Sequence, residues 1–189
     1  MGSEKNIKRA IKILISAKQI QKRVAELGKE ITEYYKNKVS EKRPLVIIIV
    51  QKGASIFGAD LVRKIRLSLD LRFIRVVSYG GKTMPQSDPE IFDKIKSGIE
   101  NDHVLVVEDI LDTGKTLAFI KSYLNNLQPM SLNFAVLLIK KMKRMAKIPR
   151  VRFKAFTISN KFVVGYGLDY NEIYRNLPYV GVIENYSPR

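Results

Sequence analysis

Residues 104–116 read Val-Leu-Val-Val-Glu-Asp-Ile-Leu-Asp-Thr-Gly-Lys-Thr, an apolar run that turns acidic and then enters a glycine-containing loop. The apolar run is typical of a strand that is buried on both faces. Glu108 and Asp109 stand where that strand should end, and Asp112 and the loop precede a helical pattern over 115–127. Because such a loop and the helix N-terminus direct free N–H groups at one spot, the arrangement suits an anion such as phosphate.

The three carboxylates of this stretch would repel a phosphorylated ligand unless a cation such as Mg²⁺ lies between them, or unless they bind sugar hydroxyls. The stretch therefore predicts a site for a phosphorylated sugar and a divalent metal. The structural alternative is an ordinary strand–turn–helix with solvated acids, but so many acids beside a Gly-Lys-Thr loop favour a functional site. A nucleotide-binding P-loop is excluded, because Asp109 stands where that motif needs its first glycine.

The composition of the chain limits the classes of protein to which it can belong. With 189 residues, 46% of them hydrophobic, the chain suits one folded domain over residues 1–189. The chain has no cysteine, which excludes disulfides, zinc-thiolate sites and a thiol nucleophile and is compatible with a reducing cytosol. The apolar run 44–50 is too short to cross a bilayer, and no convincing signal peptide precedes it. We therefore expect a cytoplasmic protein without a membrane partner.

Positive charge is in excess and unevenly distributed. The chain has 34 Lys and Arg against 18 Asp and Glu, a net charge of +16. Residues 113–168 contain no acid at all. Such a field attracts polyphosphate substrates and equally nucleic acid. No aromatic residue lies within the basic segment 140–150, which argues against stacking on RNA. We interpret most of these basic residues as solvated surface and do not expect a nucleic-acid partner.

Strands and helices alternate through most of the chain. Strands are predicted at 11–15, 44–50, 69–77, 104–109, 131–139, 151–158, 163–166 and 179–183, and helices after Ser16, at 56–65 and at 115–127. A long irregular segment covers 78–102, and 169–175 is a turn or short helix. This order predicts an α/β fold with a mostly parallel central sheet flanked by helices on both faces. The loops after Val50, Val77, Glu108 and Ile139 should then meet in one cleft at the carboxyl ends of the strands.

Residues 107–116 resemble the phosphoribosyl pyrophosphate (PRPP) binding motif of the type I phosphoribosyltransferases. Residues 50–53, Ser78-Tyr79, Lys140 and the segment 161–175 are similar, in order and spacing, to the hypoxanthine-guanine branch of that family. The similarity extends over nearly the whole chain from Ile11. It implies a type I phosphoribosyltransferase fold with a small hood formed by N- and C-terminal segments. It also implies a purine salvage reaction in which hypoxanthine or guanine and PRPP give IMP or GMP and pyrophosphate.

The resemblance assigns roles to the residues of the PRPP motif. Glu108 and Asp109 would hold the ribose hydroxyls, directly or through Mg²⁺. Asp112 would lie near N7 of the purine as general base or acid while N9 attacks C1′; its structural alternative is a helix N-cap. The 5′-phosphate would be wrapped by Thr113, Gly114, Lys115 and Thr116.

The resemblance also assigns a pyrophosphate site. Gln51, Lys52 and Gly53 match the pyrophosphate loop of the family, whose first peptide bond is often cis. Arg175 would contact the pyrophosphate with its guanidinium. Asp169 would border the purine site and bind a second Mg²⁺ that bridges pyrophosphate oxygens.

The purine and the lid involve other segments. Lys140 would donate to O6 of the purine, and Phe162 would stack on the purine face, with core packing as the alternative. Val163 would contact the base through its backbone only. Ser78 and Tyr79 match the start of a lid that excludes water from the reaction.

Two other functions remain open at this point. The same fold with excess positive charge suits an RNA-binding regulator, although Lys140, Phe162 and Asp169 would then have no role. A xanthine-preferring enzyme of the same branch is the second alternative. Members of the family are commonly dimers or tetramers, so the resemblance implies a homodimer or homotetramer.

Overall fold

The computed structural model describes residues 11–77, 90–141 and 149–184. The helices are α1 (Ala17–Tyr35), α2 (Ser55–Val62) and α3 (Lys115–Asn125). The strands are β1 (Ile11–Ile15), β2 (Leu45–Gln51), β3 (Leu69–Val77), β4 (Glu90–Ile91), β5 (His103–Leu111), β6 (Ser131–Lys141), β7 (Phe153–Ser159), β8 (Val163–Val164) and β9 (Val180–Ile183).

Six strands form the central sheet, in the order β4-β3-β2-β5-β6-β7. All neighbours pair in parallel except β4, which runs antiparallel to β3 at one edge. The central strands β2 and β5 begin as apolar runs, and the side chains of these runs are buried on both faces. The mostly parallel sheet predicted from the sequence is therefore confirmed.

Helices cover both faces of this sheet, as expected. On one face α1 and α2 pack on alternate residues of the central strands, such as Ile47 and Leu105. On the other face α3 packs on the intervening residues, such as Ile48 and Val106. The alternation arises because successive side chains of a strand point to opposite faces. Each buried strand therefore contributes to two separate cores.

The first helix begins at the predicted cap. Ser16 Oγ accepts a hydrogen bond from the Gln19 backbone N–H at 3.3 Å, and Ser16 N–H donates to Gln19 Oε1 at 2.9 Å. This reciprocal capping box satisfies backbone groups that the first helical turn leaves unpaired. It fixes the point at which the chain leaves β1 and crosses the sheet.

The hood is a second sheet of three antiparallel strands, in the order β1-β9-β8. It joins the first described residues to the last, as the sequence predicted, since Ile11 pairs with Ile183. Strand β8 is shorter than expected. Gly165 (φ 96°) and Tyr166 (φ 51°) leave the extended conformation, so the chain turns away from the sheet after Val164.

Two other predictions differ from the structure. The segment 78–102 was expected to be irregular, but it contains β4, whose two residues pair with Val76 and Val77. Periodicity cannot reveal so short an edge strand. Residues 169–175 form a turn and not a short helix, because Asn171, Glu172 and Tyr174 have positive φ angles of 50°, 66° and 74°. No helix in the three described ranges is long and apolar enough to span a membrane.

His103 is the only histidine of the chain, and we predict that it makes stability depend on pH. Its Nδ1 lies 2.6 Å from Ser131 Oγ. Burial, and then the charge of Lys38, lower the pKa of His103 below its ordinary value of 6.5. The unfolded state therefore binds this proton more readily, and the free energy of unfolding should fall as pH decreases below about 6.5.

The measurement is urea unfolding of the natural chain and of His103→Asn at several pH values from about 7.5 to about 5. The stability difference between the two should shift in favour of the variant as pH falls. A difference that stays constant over this range would contradict the expectation.

Candidate active site

Three chain segments meet at the carboxyl end of the central sheet. The backbone of Gly53, after β2, lies against the carboxylate of Asp109 in β5, so closely that a Cβ on Gly53 would overlap it. The backbone of Gly167 lies against the carbonyl of Gly53 in the same way. The convergence expected from a parallel sheet is therefore present at the loops after β2 and β5, and the turn after β8 joins them.

Glu108 and Asp109 form the acidic floor of this cleft. Glu108 is only 7% exposed, and its Oε2 has no hydrogen-bond partner among the described residues. Burial, and then the neighbouring Asp109, raise the pKa of Glu108 well above its ordinary value. Burial also raises the pKa of Asp109, against the opposing effects of its hydrogen bond with Glu108 and, to a smaller extent, of Arg175. A buried carboxylate oxygen without a partner is suited to a ligand hydroxyl or a cation.

Asp112 and Lys140 form an ion pair, with 2.6 Å between Lys140 Nζ and Asp112 Oδ2. They stand at the ends of the adjacent strands β5 and β6. The side chain of Lys140 is 11% exposed and that of Asp112 is 44% exposed, so the carboxylate remains accessible from the cleft. The alternative of Asp112 as a helix N-cap is wrong, because Gly114 occupies the N-cap position of α3.

The loop 113–116 brings the N-terminus of α3 to the same cleft. Gly114 has φ 89° in the left-handed region, which favours glycine. No described side chain caps α3 through a hydrogen bond, so the backbone N–H groups of its first turn are directed at the loop. Thr113 and Thr116 are partly buried beside it, and Lys115, the first residue of α3, is exposed.

The loop after β2 faces the turn 169–175. The peptide bond between Gln51 and Lys52 is cis, as the resemblance suggested. Lys52 Nζ lies 3.0 Å from Glu172 Oε2. Arg175 lies 2.8 Å from Asp169 and 3.3 Å from Glu172. Lys52 and Arg175, the two cations predicted to bind pyrophosphate, therefore share one exposed partner, the carboxylate of Glu172.

The residues assigned to the purine are arranged less tightly. Phe162 is partly buried and meets Tyr170 edge to face, with 5.8 Å between ring centroids. Val163 is buried in β8 and pairs with Val182. Asp169 accepts a hydrogen bond from the Glu172 backbone N–H at 2.9 Å in addition to its pair with Arg175. Ser78 and Tyr79 lie outside the described residues.

Oxygen donors for Mg²⁺ are present, but the protein alone does not surround an ion. Within the described ranges, no three acidic or histidine side chains are grouped so that they could hold a metal. Asp169 pairs with Arg175, so the predicted ligands Glu108, Asp109 and Asp169 do not form one closed site. Mg²⁺ commonly takes one or two carboxylates and completes its shell with water and substrate oxygens.

Sequence reasoning missed two parts of this site. Glu172 was not singled out, and its role as the partner of Lys52 is visible only in the folded chain. Gly167 lies within the segment 161–175, and the sequence indicates no function for it, although its backbone touches Gly53. The Gly-Tyr-Gly run at 165–167 was the available signal, since two glycines around one aromatic indicate a tight turn.

Comparison with known proteins identifies the class. The profile of the phosphoribosyl transferase domain matches residues 14–171. The chain is 40% identical over 177 residues to a hypoxanthine phosphoribosyltransferase of Buchnera aphidicola, covering 94% of this chain and 98% of that one. It is 42% identical over 172 residues to a hypoxanthine-guanine phosphoribosyltransferase of Staphylococcus epidermidis, covering 91% and 93%.

A solved structure gives the same result. The crystal structure of a hypoxanthine phosphoribosyltransferase from Staphylococcus aureus superposes with a TM-score of 0.84 at 38% identity, with all of both chains covered. The chain therefore belongs to the phosphoribosyltransferase family, in the group of hypoxanthine and hypoxanthine-guanine phosphoribosyltransferases. The type I phosphoribosyltransferase fold and the transferase class expected from the sequence are confirmed, and the enzyme is supported over the RNA-binding regulator.

We predict that Gly167→Ala weakens the use of PRPP. A Cβ at Gly167 would overlap the carbonyl of Gly53 and displace the loop after β2. The expected loss is about 10- to 100-fold in kcat/KM for PRPP, because small misplacements of binding groups have effects of that size. Steady-state kinetics with varied PRPP measures it.

Gly98→Ala is the matched control. Gly98 also has a positive φ, 78°, but faces only the Arg72 side chain. We expect a loss of about 1 kcal/mol of stability with kcat/KM retained. Equal kinetic losses in both variants would show that backbone strain, and not the contact with Gly53, is responsible.

Proposed function

We propose that the chain transfers the 5-phosphoribosyl group of PRPP to N9 of hypoxanthine or guanine, giving IMP or GMP and pyrophosphate. The names of the relatives support this reaction. The observation that carries it is the Lys140–Asp112 pair beside the uncapped start of α3. It places a donor and an acceptor for a base next to a site for a phosphate.

The pair explains recognition of a 6-oxopurine. O6 and N7 lie on the same edge of the base, and Lys140 and Asp112 lie 2.6 Å apart. An ammonium group only donates hydrogen bonds, so Lys140 suits an oxygen at position 6 and not an amino group. A carboxylate beside it accepts from a protonated N7. Both contacts can therefore form to one edge of hypoxanthine or guanine. Phe162, beside Tyr170, supplies an aromatic surface for the base plane, and Val163 supplies backbone groups.

The chemistry then requires one proton transfer from the base. As N9 forms its bond to C1′, the bond between C1′ and the pyrophosphate oxygen breaks and the purine gives up a proton. Asp112 takes this proton at N7 as general base and returns it in the reverse direction. Its partial exposure allows this contact, and its pairing with Lys140 holds the carboxylate toward the base.

The sugar phosphate is held by neighbouring groups of the same segment. The N–H groups of 113–116 and the start of α3 bind the 5′-phosphate, where the helix dipole favours an anion. Glu108 and Asp109 bind the ribose hydroxyls. The oxygen of Glu108 that lacks a partner among the described residues supports this role.

The leaving group is held by the loop after β2 and by Arg175. Lys52 and Gly53 offer an ammonium and backbone groups, and Arg175 a guanidinium. When Mg²⁺ is bound, it would lower the charge of the leaving group. Asp169 would hold this ion together with substrate oxygens, and Glu108 and Asp109 would hold another beside the ribose hydroxyls. The lid at Ser78 and Tyr79, the homodimer or homotetramer and the cytoplasmic location stay predictions.

A panel of bases tests the proposed function. Hypoxanthine, guanine, xanthine, adenine and uracil are each incubated with PRPP and Mg²⁺, and nucleotide formation is followed. We expect product with hypoxanthine or guanine and none with adenine or uracil, because only a 6-oxopurine accepts from Lys140 on that edge. Absence of product with both hypoxanthine and guanine would reject the proposal, and a strong preference for xanthine would favour the alternative enzyme.

A single substitution tests the role of Asp112. Asp112→Asn retains an oxygen acceptor for Lys140 but cannot take a proton, so we expect kcat to fall by about 10²- to 10⁴-fold while PRPP still binds. Kinetics and calorimetric titration with PRPP measure the two effects.

Asp102→Asn is the matched control. Asp102 immediately precedes β5 at the opposite end of that strand. The Asp102→Asn variant should retain full turnover. Unchanged turnover in Asp112→Asn would remove this residue from the chemistry.

A further inference from the structure

Tyr166 is a buried titratable residue that the reaction above does not use. Its side chain is 5% exposed, and its φ of 51° lies in the left-handed region. Gly165 and Gly167 on either side also have positive φ, 96° and 103°. A bulky residue rarely adopts this conformation, so the surrounding structure must hold it there.

The hydroxyl of Tyr166 contributes a contact that helps to hold the residue in this conformation. It donates a hydrogen bond to Asp60 Oδ2 at 2.6 Å, a short charge-assisted contact. Asp60 lies within α2 and also pairs with Arg63. Burial, and then the bond to Asp60, raise the pKa of Tyr166 above its ordinary value. The tyrosine therefore remains a neutral donor over the working pH range.

This bond joins the two halves of the pyrophosphate site. On one side, α2 follows directly on the loop after β2, and the Ser55 backbone N–H donates to the carbonyl of Lys52 at 3.2 Å. Any shift of α2 is therefore transmitted to Lys52 and Gly53. Asp60 lies in the same short helix.

On the other side, the bond holds the turn that carries Arg175 and Asp169. Gly167 directly follows Tyr166, and its carbonyl accepts from the Arg175 guanidinium at 2.7 Å. The Gly167 backbone N–H also donates to the carbonyl of Arg175 at 2.9 Å. The position of Tyr166 therefore determines that of Arg175, and through it that of Asp169.

We propose that Tyr166 and Asp60 are positioning residues that hold the loop of Lys52 and Gly53 at the correct distance from Arg175 and Asp169, and so set the affinity for the pyrophosphate part of the substrate. Neither side chain contacts the substrate in this proposal. It rests on the proposed function, since it assumes that both segments bind pyrophosphate.

The test uses Tyr166→Phe, which removes the hydroxyl and keeps the ring. Affinity for magnesium pyrophosphate is measured by calorimetric titration of the full chain, and kinetics are measured with PRPP and with hypoxanthine. We expect pyrophosphate affinity to fall, and KM for PRPP to rise, by about 5- to 20-fold. KM for hypoxanthine should change by a smaller factor than KM for PRPP, because Lys140 and Asp112 lie at the ends of other strands.

Substitutions at Asp60 give an independent measurement. Asp60→Ala should reproduce the loss, and Asp60→Asn should restore part of it because an oxygen acceptor remains. The double variant Tyr166→Phe/Asp60→Ala should be no worse than the worse single variant, since both remove one bond. Fully additive losses would overturn the proposed pairing.

Tyr123→Phe is the matched control. The hydroxyl of Tyr123 donates to the Ile95 carbonyl at 2.7 Å, so this variant also loses a partly buried tyrosine bond, on the α3 side of the sheet. It should retain pyrophosphate affinity.

If Tyr166→Phe loses thermal stability but binds magnesium pyrophosphate as tightly as the natural chain, the bond is only structural and the inference is wrong. If the natural chain itself does not bind pyrophosphate, the proposed function fails first.

Discussion

The burial of two adjacent carboxylates, Glu108 and Asp109, at the end of a fully buried strand is the constraint around which the site is built. Removing such groups from water is unfavourable unless partners replace the lost hydration. Within the described residues, the compensation for Asp109 comes first from its hydrogen bond with Glu108, then from the Ile110 backbone N–H at 2.7 Å, and last from the positive charge of Arg175. Glu108 retains an unsatisfied oxygen. The cleft is therefore preorganised to bind a ligand at the carboxylate of Glu108.

Close backbone packing makes this possible. Gly53 lies against the Asp109 carboxylate, and Gly167 lies against the Gly53 carbonyl, so the three segments approach closely only because neither glycine carries a side chain. This packing brings the turn 169–175, which carries Arg175, close enough for its charge to influence the carboxylate of Asp109. The proposed roles divide along the same lines. The end of β5 and the loop 113–116 would bind the sugar phosphate, and the loop after β2 and the turn 169–175 would bind the leaving group.

The net charge of +16 is consistent with polyanionic substrates. The cations of the site, however, are already paired with carboxylates. Lys52, Lys140 and Arg175 each have a carboxylate partner within 3.0 Å. Such pairing limits repulsion among the cations before the substrate arrives. An anionic substrate can then exchange with an exposed carboxylate such as Glu172, whose ion pair with Lys52 is accessible to water and contributes little stability.

Features that depend on neighbouring residues could be predicted from the sequence alone. Apolar runs predicted the buried strands, Ser16 predicted the cap of α1, and residues 104–116 predicted a strand–loop–helix with its acids at the strand end. The resemblance carried by the motifs added the family and a set of site residues. The predictions of the strands, the cap and the loop succeed because burial patterns, caps and glycine turns are imposed by local backbone geometry.

Contacts between distant side chains become visible only in the folded chain. The pairs Asp112–Lys140, Lys52–Glu172 and Tyr166–Asp60 join residues far apart in the chain, and no periodicity encodes them. The same is true of β4 and of the contact between Gly53 and Gly167. The physical reason is that these contacts result from how strands and hood pack together, and packing depends on the whole chain rather than on any one segment.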